Sequence, residues 1–440
     1  MGSHVIILGG GAAGLAAASR IAEAGHPVTL IERKPFLGGR IYSVQDRKTG
    51  ETIDNGQHVL MGCYHETFTL LRRLGTMDGI KIQDRLQIHY KGGEGLDDEL
   101  SCLPLPAPFH LLLAVLSMKS FNWADYRALL RFGLALRKEN PAIKGETVAT
   151  FCQRLQQPPA LQNLMWFPIA VSALNETPET ACAELFVTVL KQAFFAGSQE
   201  SKIAFPRVPL QELHGTKAIE YIQNHNGRVI LGETAVALEM EGKRIAAVWL
   251  KSGERIPCEH CISAIPSKPL HDLAIQSGLE KALRIPALGS SPILSVYLWF
   301  DHPFTSDEIT CLQGCHYEWA LFRSNFVREG EHKHFCVCLL VSAARGYQSW
   351  KRHDLIQAAI ADLHNTYPAS RQTHVLSVTV FWEPQATFSP HPMVSCKRPG
   401  PLTAIPNLTL AGDWTDTGLP ATIEGAVLSG HNCANLFLHH

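Results

Sequence analysis

A short apolar run followed at once by closely spaced glycines opens the chain and strongly limits how it can fold. Val5–Leu8 has the continuous hydrophobicity of a strand buried on both faces of a parallel sheet. The next residues, 9–14, fit the pattern G-x-G-x-x-G, and the small side chains of residues 15–24 indicate a helix. A second apolar run, 28–31, ends at Glu32. This order of strand, glycine turn, helix, strand and acid predicts a Rossmann-type unit that binds a dinucleotide.

The glycines and the acid have separate physical roles in such a unit. Gly9 permits a tight turn, Gly11 lets the backbone approach a pyrophosphate, and Gly14 lets the helix pack closely on the strand. The start of the helix, which includes Ala13, offers unpaired N–H groups and the positive end of its dipole to the phosphates. Glu32 stands where a carboxylate can accept hydrogen bonds from ribose hydroxyls.

The residues after the acid resemble one group of dinucleotide-binding enzymes. Arg33 begins a stretch that ends in Gly38-Gly39-Arg40, a second glycine pair followed by arginine. This pattern resembles the superfamily of flavin-dependent amine oxidases and carotenoid desaturases. The resemblance implies FAD as the cofactor, with Arg33 and Gly39 close to it and Arg40 holding its phosphates or its ring.

Two later segments support the same resemblance. Residues 227–236 resemble the family's second entry into the nucleotide domain, which implies that the Val236 backbone meets the adenine edge. Residues 408–415 resemble its closing motif, which implies that Gly412 and Asp413 hold the ribityl chain or the pyrophosphate.

The closing motif leads into a final helix whose start includes Thr422 and Ile423. By the resemblance these residues lie against the cofactor. The positive end of the helix dipole would then stabilise negative charge on the reduced flavin ring near N1.

Because the cofactor segments lie at the start, middle and end of the chain, we expect a discontinuous α/β fold. The predicted Rossmann-like FAD-binding domain consists of three segments: residues 1–65, 205–265 and 395–440. The predicted α+β substrate domain takes the two segments between them: residues 66–204 and 266–394.

A stretch shortly after Arg40 narrows the resemblance. Residues 54–64 resemble the segment D-N-G-Q-H of the squalene-associated FAD enzymes, the hydroxysqualene dehydroxylases of bacterial squalene and hopanoid synthesis. Residues 166–178, 384–388 and 413–422 look like the same family. The resemblance places three residues against the cofactor: Gly56, Gln57 and His58.

The implied reaction is reductive removal of an allylic hydroxyl, in which hydroxysqualene and reduced FAD give squalene, water and oxidised FAD. The substrate is an apolar isoprenoid, which agrees with a charged fraction of 18% against about 25% in a typical domain. Only one dinucleotide signature is present, so we expect an external electron donor or reductase to reload the flavin.

The reaction needs a proton donor, for which the sequence offers four candidates. We rank His58 first, since imidazole suits proton transfer near neutral pH, although it can instead be a hydrogen-bonded residue packed on the cofactor. Asp416 ranks second, with the capping of a turn as its alternative role. We expect Asp54 to fix its loop by backbone hydrogen bonds, and Glu176 completes the set.

Three other functions stay open. The first is a desaturase of squalene or of a carotenoid precursor, which uses the same fold in the oxidative direction. The second is an amine oxidase, but Trp414 has no second aromatic residue near it in the closing segment, as an amine cage would need. The third is a non-catalytic protein that carries prenyl lipids.

Charge, cysteines and hydropathy limit the partners. The 39 basic and 40 acidic residues give a net charge of -1, which argues against nucleic-acid binding.

The 12 cysteines are scattered along the chain. Although Cys258 and Cys261 have ligand-like spacing, we expect inert thiols and no metal in a cytoplasmic protein. Residues 109–118 are apolar on nearly every face, which indicates either a buried helix or a segment that enters a membrane surface peripherally.

Overall fold

The computed structural model describes residues 3–330, 332–395 and 397–439. Its strands are β1 (Val5–Leu8), β2 (Val28–Glu32), β3 (Ser43–Gln45), β4 (Thr52–Asp54), β5 (Leu60–Met61), β6 (Ile80–Ile82), β7 (Gln87–Gly92), β8 (Asp97–Ser101), β9 (Ile203–Pro206), β10 (Arg228–Leu231), β11 (Ala235–Glu241), β12 (Arg244–Leu250), β13 (Arg255–Pro257), β14 (His260–Ser263), β15 (Ser290–Phe300), β16 (Ile309–Gln313), β17 (Trp319–Leu321), β18 (Phe335–Val341), β19 (Val375–Phe388) and β20 (Leu408–Leu410). Its helices are α1 (Ala12–Glu23), α2 (His65–Leu74), α3 (Phe109–Ser117), α4 (Trp123–Leu136), α5 (Val148–Arg154), α6 (Pro159–Leu161), α7 (Phe167–Leu174), α8 (Ala183–Leu190), α9 (Lys217–Asn224), α10 (Ser267–Gln276), α11 (Glu280–Leu283), α12 (Arg352–Thr366), α13 (Pro392–Ser395) and α14 (Ile423–Leu438).

A five-stranded parallel sheet in the order β10-β2-β1-β14-β20 carries the glycine turn. Helices α1, α9 and α14 pack on one face through small and aliphatic side chains. The antiparallel sheet β11-β12-β13 and helix α10 cover the other face. A Cβ atom on Gly430 would lie 2.1 Å from the carbonyl oxygen of Ala13, so α14 crosses α1 at backbone contact. These layers confirm the predicted Rossmann-like architecture.

A second, seven-stranded sheet has the order β19-β15-β18-β17-β16-β7-β8 and is antiparallel except between β16 and β7. Side chains alternate across it, and one face packs on α12 through Leu298, Val337 and Leu363. The opposite face carries Tyr297 and Cys338, which pack towards β4. This second face therefore points to the segment that resembles D-N-G-Q-H.

A layer of helices, α3 to α8, forms its own apolar core beside this sheet. Within it the rings of Phe132 and Trp166 stack with their centroids 4.1 Å apart. The same core continues to Val59 and Met61 at β5. Apolar packing is thus unbroken from the outer helices to the D-N-G-Q-H segment.

Eleven of the cysteines lie among the described residues, and all are free thiols. Cys258 and Cys261 are buried on either side of the start of β14. No group of three or more metal-ligating side chains occurs in the described part of the chain.

Candidate functional site

The glycine turn joins β1 to α1. Gly9 has a φ of +100°, and a Cβ atom there would lie 2.9 Å from the carbonyl oxygen of Ala264. A Cβ atom on Gly14 would lie 1.8 Å from the Gly9 carbonyl oxygen. Both positions therefore require glycine for packing within the protein. Ala13 lies in the same turn and is buried in the core shared with α14.

Gly11 differs from these two because the protein leaves space beside it. A Cβ atom there would meet only the Cα atom of Gly39, at 3.9 Å. Gly39 has a φ of +63°, and its own Cβ atom would lie 2.9 Å from Gly11. Gly11 also caps α1 without a side-chain hydrogen bond, so the first N–H groups of the helix are available. The two facing glycines form a cradle that fits a pyrophosphate.

Glu32 lies beside this cradle and is buried. Its Oε2 atom accepts a hydrogen bond from Gly10 N at 2.7 Å, and its Oε1 atom accepts one from Lys34 N at 2.8 Å. The carboxylate thus fixes the glycine turn from the end of β2. Arg33, by contrast, is exposed.

Val236 lies at an irregularity in β11. The flanking residues Ala235 and Ala237 pair with Leu250 and Trp249 of β12, and the register shifts between them. The backbone of Val236 falls between these pairs, where it can meet a ligand edge.

The two ends of the chain meet in an ion pair. Arg40 Nη2 lies 2.6 Å from Asp413 Oδ1, and Arg40 Nη1 donates to the carbonyl oxygen of Ala386 at 2.8 Å. The charge of Asp413 raises the pKa of Arg40, so the guanidinium stays charged. Gly412 holds its turn with a φ of +136° and donates its N–H to Ser429 Oγ at 2.7 Å.

Arg398 supports this turn, although sequence reasoning did not identify it. It is buried, and it donates to the carbonyl oxygens of Leu419 at 2.7 Å and Asp413 at 3.2 Å. Burial lowers its pKa. The only sequence signal was a charged residue directly before the proline cluster at 399–401.

The final helix begins close to the same turn. The Thr422 side chain accepts from Gly425 N at 3.1 Å and caps α14. Ile423 is half-buried and packs beside Tyr64 and Ile41. The first turn of α14 therefore lies over the stretch that joins β5 to α2.

Asp54 ends β4 and anchors the D-N-G-Q-H segment. Its Oδ1 atom accepts from Ser43 Oγ at 2.6 Å and from Leu210 N at 3.0 Å. Burial raises its pKa, against the opposite effect of these hydrogen bonds and of the charge on His58.

His58 is half-buried four residues further on. Its Nδ1 atom lies 2.8 Å from the carbonyl oxygen of Gly56, which assigns the proton of the neutral ring to Nδ1. Nε2 is then an acceptor, and no described residue hydrogen-bonds to it. Burial lowers the pKa of His58, while the Asp54 carboxylate and the Gly56 carbonyl oppose that shift. The neighbouring His214 is buried, and its pKa is lowered to about 4.

Gly56 and Gln57 bring this segment against β15. A Cβ atom on Gly56 would lie 3.0 Å from Ser295 Oγ. Gln57 is buried, and its Oε1 atom has no hydrogen-bond partner among the described residues. A buried acceptor without a partner among the described residues can receive a hydrogen bond from the polar edge of a ligand.

Arg323 is a second residue that the sequence did not reveal. It is 2% exposed, its Nη2 atom donates to the carbonyl oxygen of Thr52 at 2.9 Å, and its Nη1 atom has no partner among the described residues. Its positive charge acts on Asp54 and opposes the burial effect on the Asp54 pKa. An arginine directly after the apolar run Trp319–Leu321 and Phe322 was the available signal.

The two other acid candidates lie in different surroundings. Asp416 is exposed, and its Oδ1 atom accepts from Gly418 N at 3.1 Å, which favours turn capping over proton transfer. Glu176 is fully buried and holds Arg345 through two hydrogen bonds of 2.6 and 2.8 Å. Burial acts to raise the Glu176 pKa, but the hydrogen bonds from Arg345 and Ser389 lower it overall. Glu176 is therefore an ionised structural residue.

Comparison with known proteins identifies the class. Residues 12–438 match the family model of flavin containing amine oxidoreductases, and the chain belongs to this family. Solved structures share the fold: an oxidoreductase from Methanosarcina mazei superimposes with a TM-score of 0.75 at 15% identity, covering 98% of this chain and 100% of its own. Putrescine oxidase bound to putrescine superimposes with a TM-score of 0.70 at 14% identity, covering 100% of both chains. The protein is a flavin oxidoreductase whose cofactor is FAD.

Within this class, similar proteins include hydroxysqualene dehydroxylases. The protein of that name from Rhodopseudomonas palustris is 28% identical over 459 residues, covering 100% of this chain and 99% of its own. The one from Zymomonas mobilis is 27% identical over 447 residues, covering 99% of both chains. A 15-cis-phytoene desaturase from Synechococcus elongatus is 25% identical over 453 residues, covering 97% of this chain and 94% of its own.

Proposed function

We propose that this protein reductively dehydroxylates hydroxysqualene to squalene with FAD. One observation carries the proposal: a half-buried histidine, His58, has an Nε2 atom with no hydrogen-bond partner among the described residues, and the buried carboxylate of Asp54 acts on its ring. An uncharged substrate needs such a proton carrier and a dry surface, and it needs no ion-pair partner. The hydroxysqualene dehydroxylases similar to this chain over its full length support the same reaction.

The cofactor site in this proposal combines the cradle with the residues around it. Gly11 and Gly39 would hold the pyrophosphate, Glu32 the ribose, and Arg40 with Asp413 the phosphates or the ribityl chain. Further contacts of the proposed site involve Gly9, Ala13, Gly14, Arg33, Gly56, Gln57, Val236, Gly412, Thr422 and Ile423. Reduced FAD supplies the hydride that replaces the hydroxyl.

His58 moves the proton in this proposal. The ring is neutral at rest, since burial lowers its pKa, and Asp54 favours uptake of a proton at Nε2. His58 then donates that proton to the substrate hydroxyl, which leaves as water. The apolar side chains around Val59 and Met61 keep water from the allylic cation until hydride arrives.

The sheets support the proposed division into two domains. The parallel sheet takes its strands from three segments of the FAD-binding domain: residues 1–65, 205–265 and 395–440. The seven-stranded sheet takes its strands from the two segments of the substrate domain: residues 66–204 and 266–394. The partners we propose are the isoprenoid substrate and an external electron donor or reductase.

An anaerobic assay tests the reaction. The purified protein is reduced with stoichiometric dithionite, hydroxysqualene is added, and the flavin absorbance is followed while lipid is extracted. We expect the oxidised spectrum to return together with squalene. A flavin that stays reduced beside unchanged alcohol would reject the dehydroxylase function.

A desaturase of squalene or of a carotenoid precursor is the second candidate. The neutral His58, with Nε2 as an acceptor, suits proton removal as well as proton delivery, and a phytoene desaturase is among the similar proteins. Oxidised protein mixed anaerobically with squalene or phytoene separates the two candidates. Bleaching of the flavin supports the desaturase, and an unchanged spectrum supports the dehydroxylase.

A further inference from the structure

Exposed apolar side chains are concentrated in one segment of the chain. Fifteen large apolar side chains are exposed among the described residues, and nine of them lie between residues 103 and 143, so the exposure is local. These nine, here called the apolar face, are Leu103, Phe109, Leu112, Leu113, Leu116, Trp123, Leu130, Leu134 and Ile143. A concentration of this kind marks a contact surface.

Helices α3 and α4 each present one side of this face. On α3, Phe109, Leu112, Leu113 and Leu116 recur at helical spacing and are exposed, while Ala114 and Val115 are buried. The exposed members on α4 are Trp123, Leu130 and Leu134, and the buried ones are Ala128, Phe132 and Leu136. Trp123 is 78% exposed, which is unusual for the largest side chain.

Hydrogen bonds tie the start of α4 to the end of α3 and to the loop between them. The Tyr126 hydroxyl donates to the carbonyl oxygens of Phe121 at 3.3 Å and Leu116 at 3.4 Å. Asn122 and Asp125 form a reciprocal cap at the start of α4. The core beneath both helices extends to Val59 and Met61 beside the proposed reaction site.

The segment that carries the apolar face also carries an excess of positive charge. The exposed cations of residues 103–144 are Lys119, Arg127, Arg131, Arg137, Lys138 and Lys144. The acidic residues of this segment are Asp125, which is buried in the cap, and Glu139. The segment is therefore basic in a chain whose net charge is -1. Apolar side chains flanked by arginine and lysine suit the interface of a bilayer that contains anionic lipids.

We propose that α3 and α4 insert the apolar face into the surface of an anionic phospholipid bilayer, while the surrounding cations contact lipid phosphates. The contact that we propose is peripheral and involves one face of each helix. No helix among the described residues is long and apolar enough to cross a membrane. The proposal goes beyond the proposed reaction and does not depend on it, since it rests on surface side chains alone.

Vesicle co-sedimentation of the FAD-loaded protein tests this proposal. The variant carries Leu113→Ser, Trp123→Ser and Leu130→Ser, and the matched control carries Trp249→Ser, Ile275→Ser and Met393→Ser, which are exposed elsewhere. On phosphatidylcholine vesicles with one third phosphatidylglycerol, we expect the variant to bind at least about tenfold more weakly and the control to bind unchanged. Equal binding by variant and unmodified protein would overturn the proposal. Flavin absorbance and melting temperature verify that both variants are folded.

Two further measurements separate the bilayer from other occupants. Arg127→Gln with Arg131→Gln should weaken binding to anionic vesicles severalfold, and this difference should vanish in pure phosphatidylcholine or at 1 M salt. Brominated lipids should quench tryptophan fluorescence, and Trp123→Phe should remove most of that quenching. A stable dimer without vesicles that the triple-serine variant dissociates would instead assign the face to a second copy of the chain and overturn the proposal.

Discussion

The parallel-sheet half and the helical layer of this protein pack their secondary-structure elements in opposite ways. In the parallel-sheet half, glycine and alanine let backbones touch, as where α14 crosses α1 at Gly430 and Ala13. In the helical layer, large side chains such as Phe132 and Trp166 fill the core, and many others remain exposed. A ligand site made of backbone depends on the absence of side chains, so it leaves a short local pattern in the sequence. A surface made of exposed side chains can be built from many different sequences. It is therefore visible in the sequence only as a local bias in amino-acid composition.

We place the proposed reaction site between the two halves, and its proposed proton carrier, His58, gives the largest expected effect. His58→Gln keeps a polar side chain of similar size but cannot carry a proton. We expect kcat for dehydroxylation to fall by about 10²–10⁴, the contribution typical of a general acid or base. Single-turnover flavin reoxidation measures it.

The control for this variant is a measurement of FAD binding. If His58 acts on the substrate, FAD affinity and the visible spectrum should stay close to those of the unmodified protein. A variant that loses FAD along with activity would show that His58 only packs on the cofactor, as part of the FAD site of the parallel-sheet half.

We expect the next largest effect from a substitution in the cradle. This substitution should weaken FAD binding without affecting the folding of the protein. Gly11→Val places a side chain in the space between Gly11 and Gly39, where the protein itself has no contact closer than 3.9 Å. We expect the apoprotein to melt normally but FAD to bind about 100-fold more weakly, which corresponds to one or two lost charge-assisted hydrogen bonds.

Gly133→Val is the matched control, because a Cβ atom at that position of α4 meets nothing within 4 Å. Isothermal titration of the apoproteins with FAD compares the two variants. Equal affinity of both for FAD would contradict the assignment of the cradle to the pyrophosphate.

The same contrast explains what the sequence could predict. The sequence suggests the glycine turn, Glu32, Arg40 and Asp413 as cofactor residues because each belongs to a short motif or resembles one, and the structure brings Arg40 and Asp413 together. The helix expected at residues 15–24 corresponds to α1, and the final helix expected to start near Thr422 and Ile423 corresponds to α14.

The residues and strands that could not be predicted are those whose contacts are with residues far away in the sequence. Arg323 binds the Thr52 carbonyl 271 positions away, and Arg398 supports Asp413 only after the closing turn has formed. Likewise β7 joins the seven-stranded sheet through pairs such as His89 with Thr310, which lie more than 200 positions apart. Local periodicity contains no information about such partners.

A pH profile gives a smaller effect and tests the linkage between Asp54 and His58. In the dehydroxylation direction kcat/KM requires protonated His58, so it should fall as pH rises through a pKa below the usual 6.5. Asp54→Asn removes the charge that favours protonation of His58, so the fall in kcat/KM should occur at lower pH than in the unmodified protein.

The desaturase alternative predicts the opposite dependence of kcat/KM on pH. If His58 removes a proton, kcat/KM should rise with pH through the same pKa. Asp54→Asn would then extend activity to lower pH. The direction of the limb in the unmodified protein thus distinguishes the two reactions independently of product analysis.

The smallest expected effect concerns Asp416, which sequence ranked second as the proton donor. The carboxylate is exposed and accepts a hydrogen bond from Gly418 N, so it caps a turn at the surface. Asp416→Ala should leave kcat within about twofold and change the free energy of unfolding by about 0.5 kcal/mol or less, as for other surface substitutions. Chemical denaturation and single-turnover assays measure both. A hundredfold fall in kcat with unchanged FAD affinity would place Asp416 at the substrate when the cofactor is bound, and the reaction site would then extend beyond the face around His58.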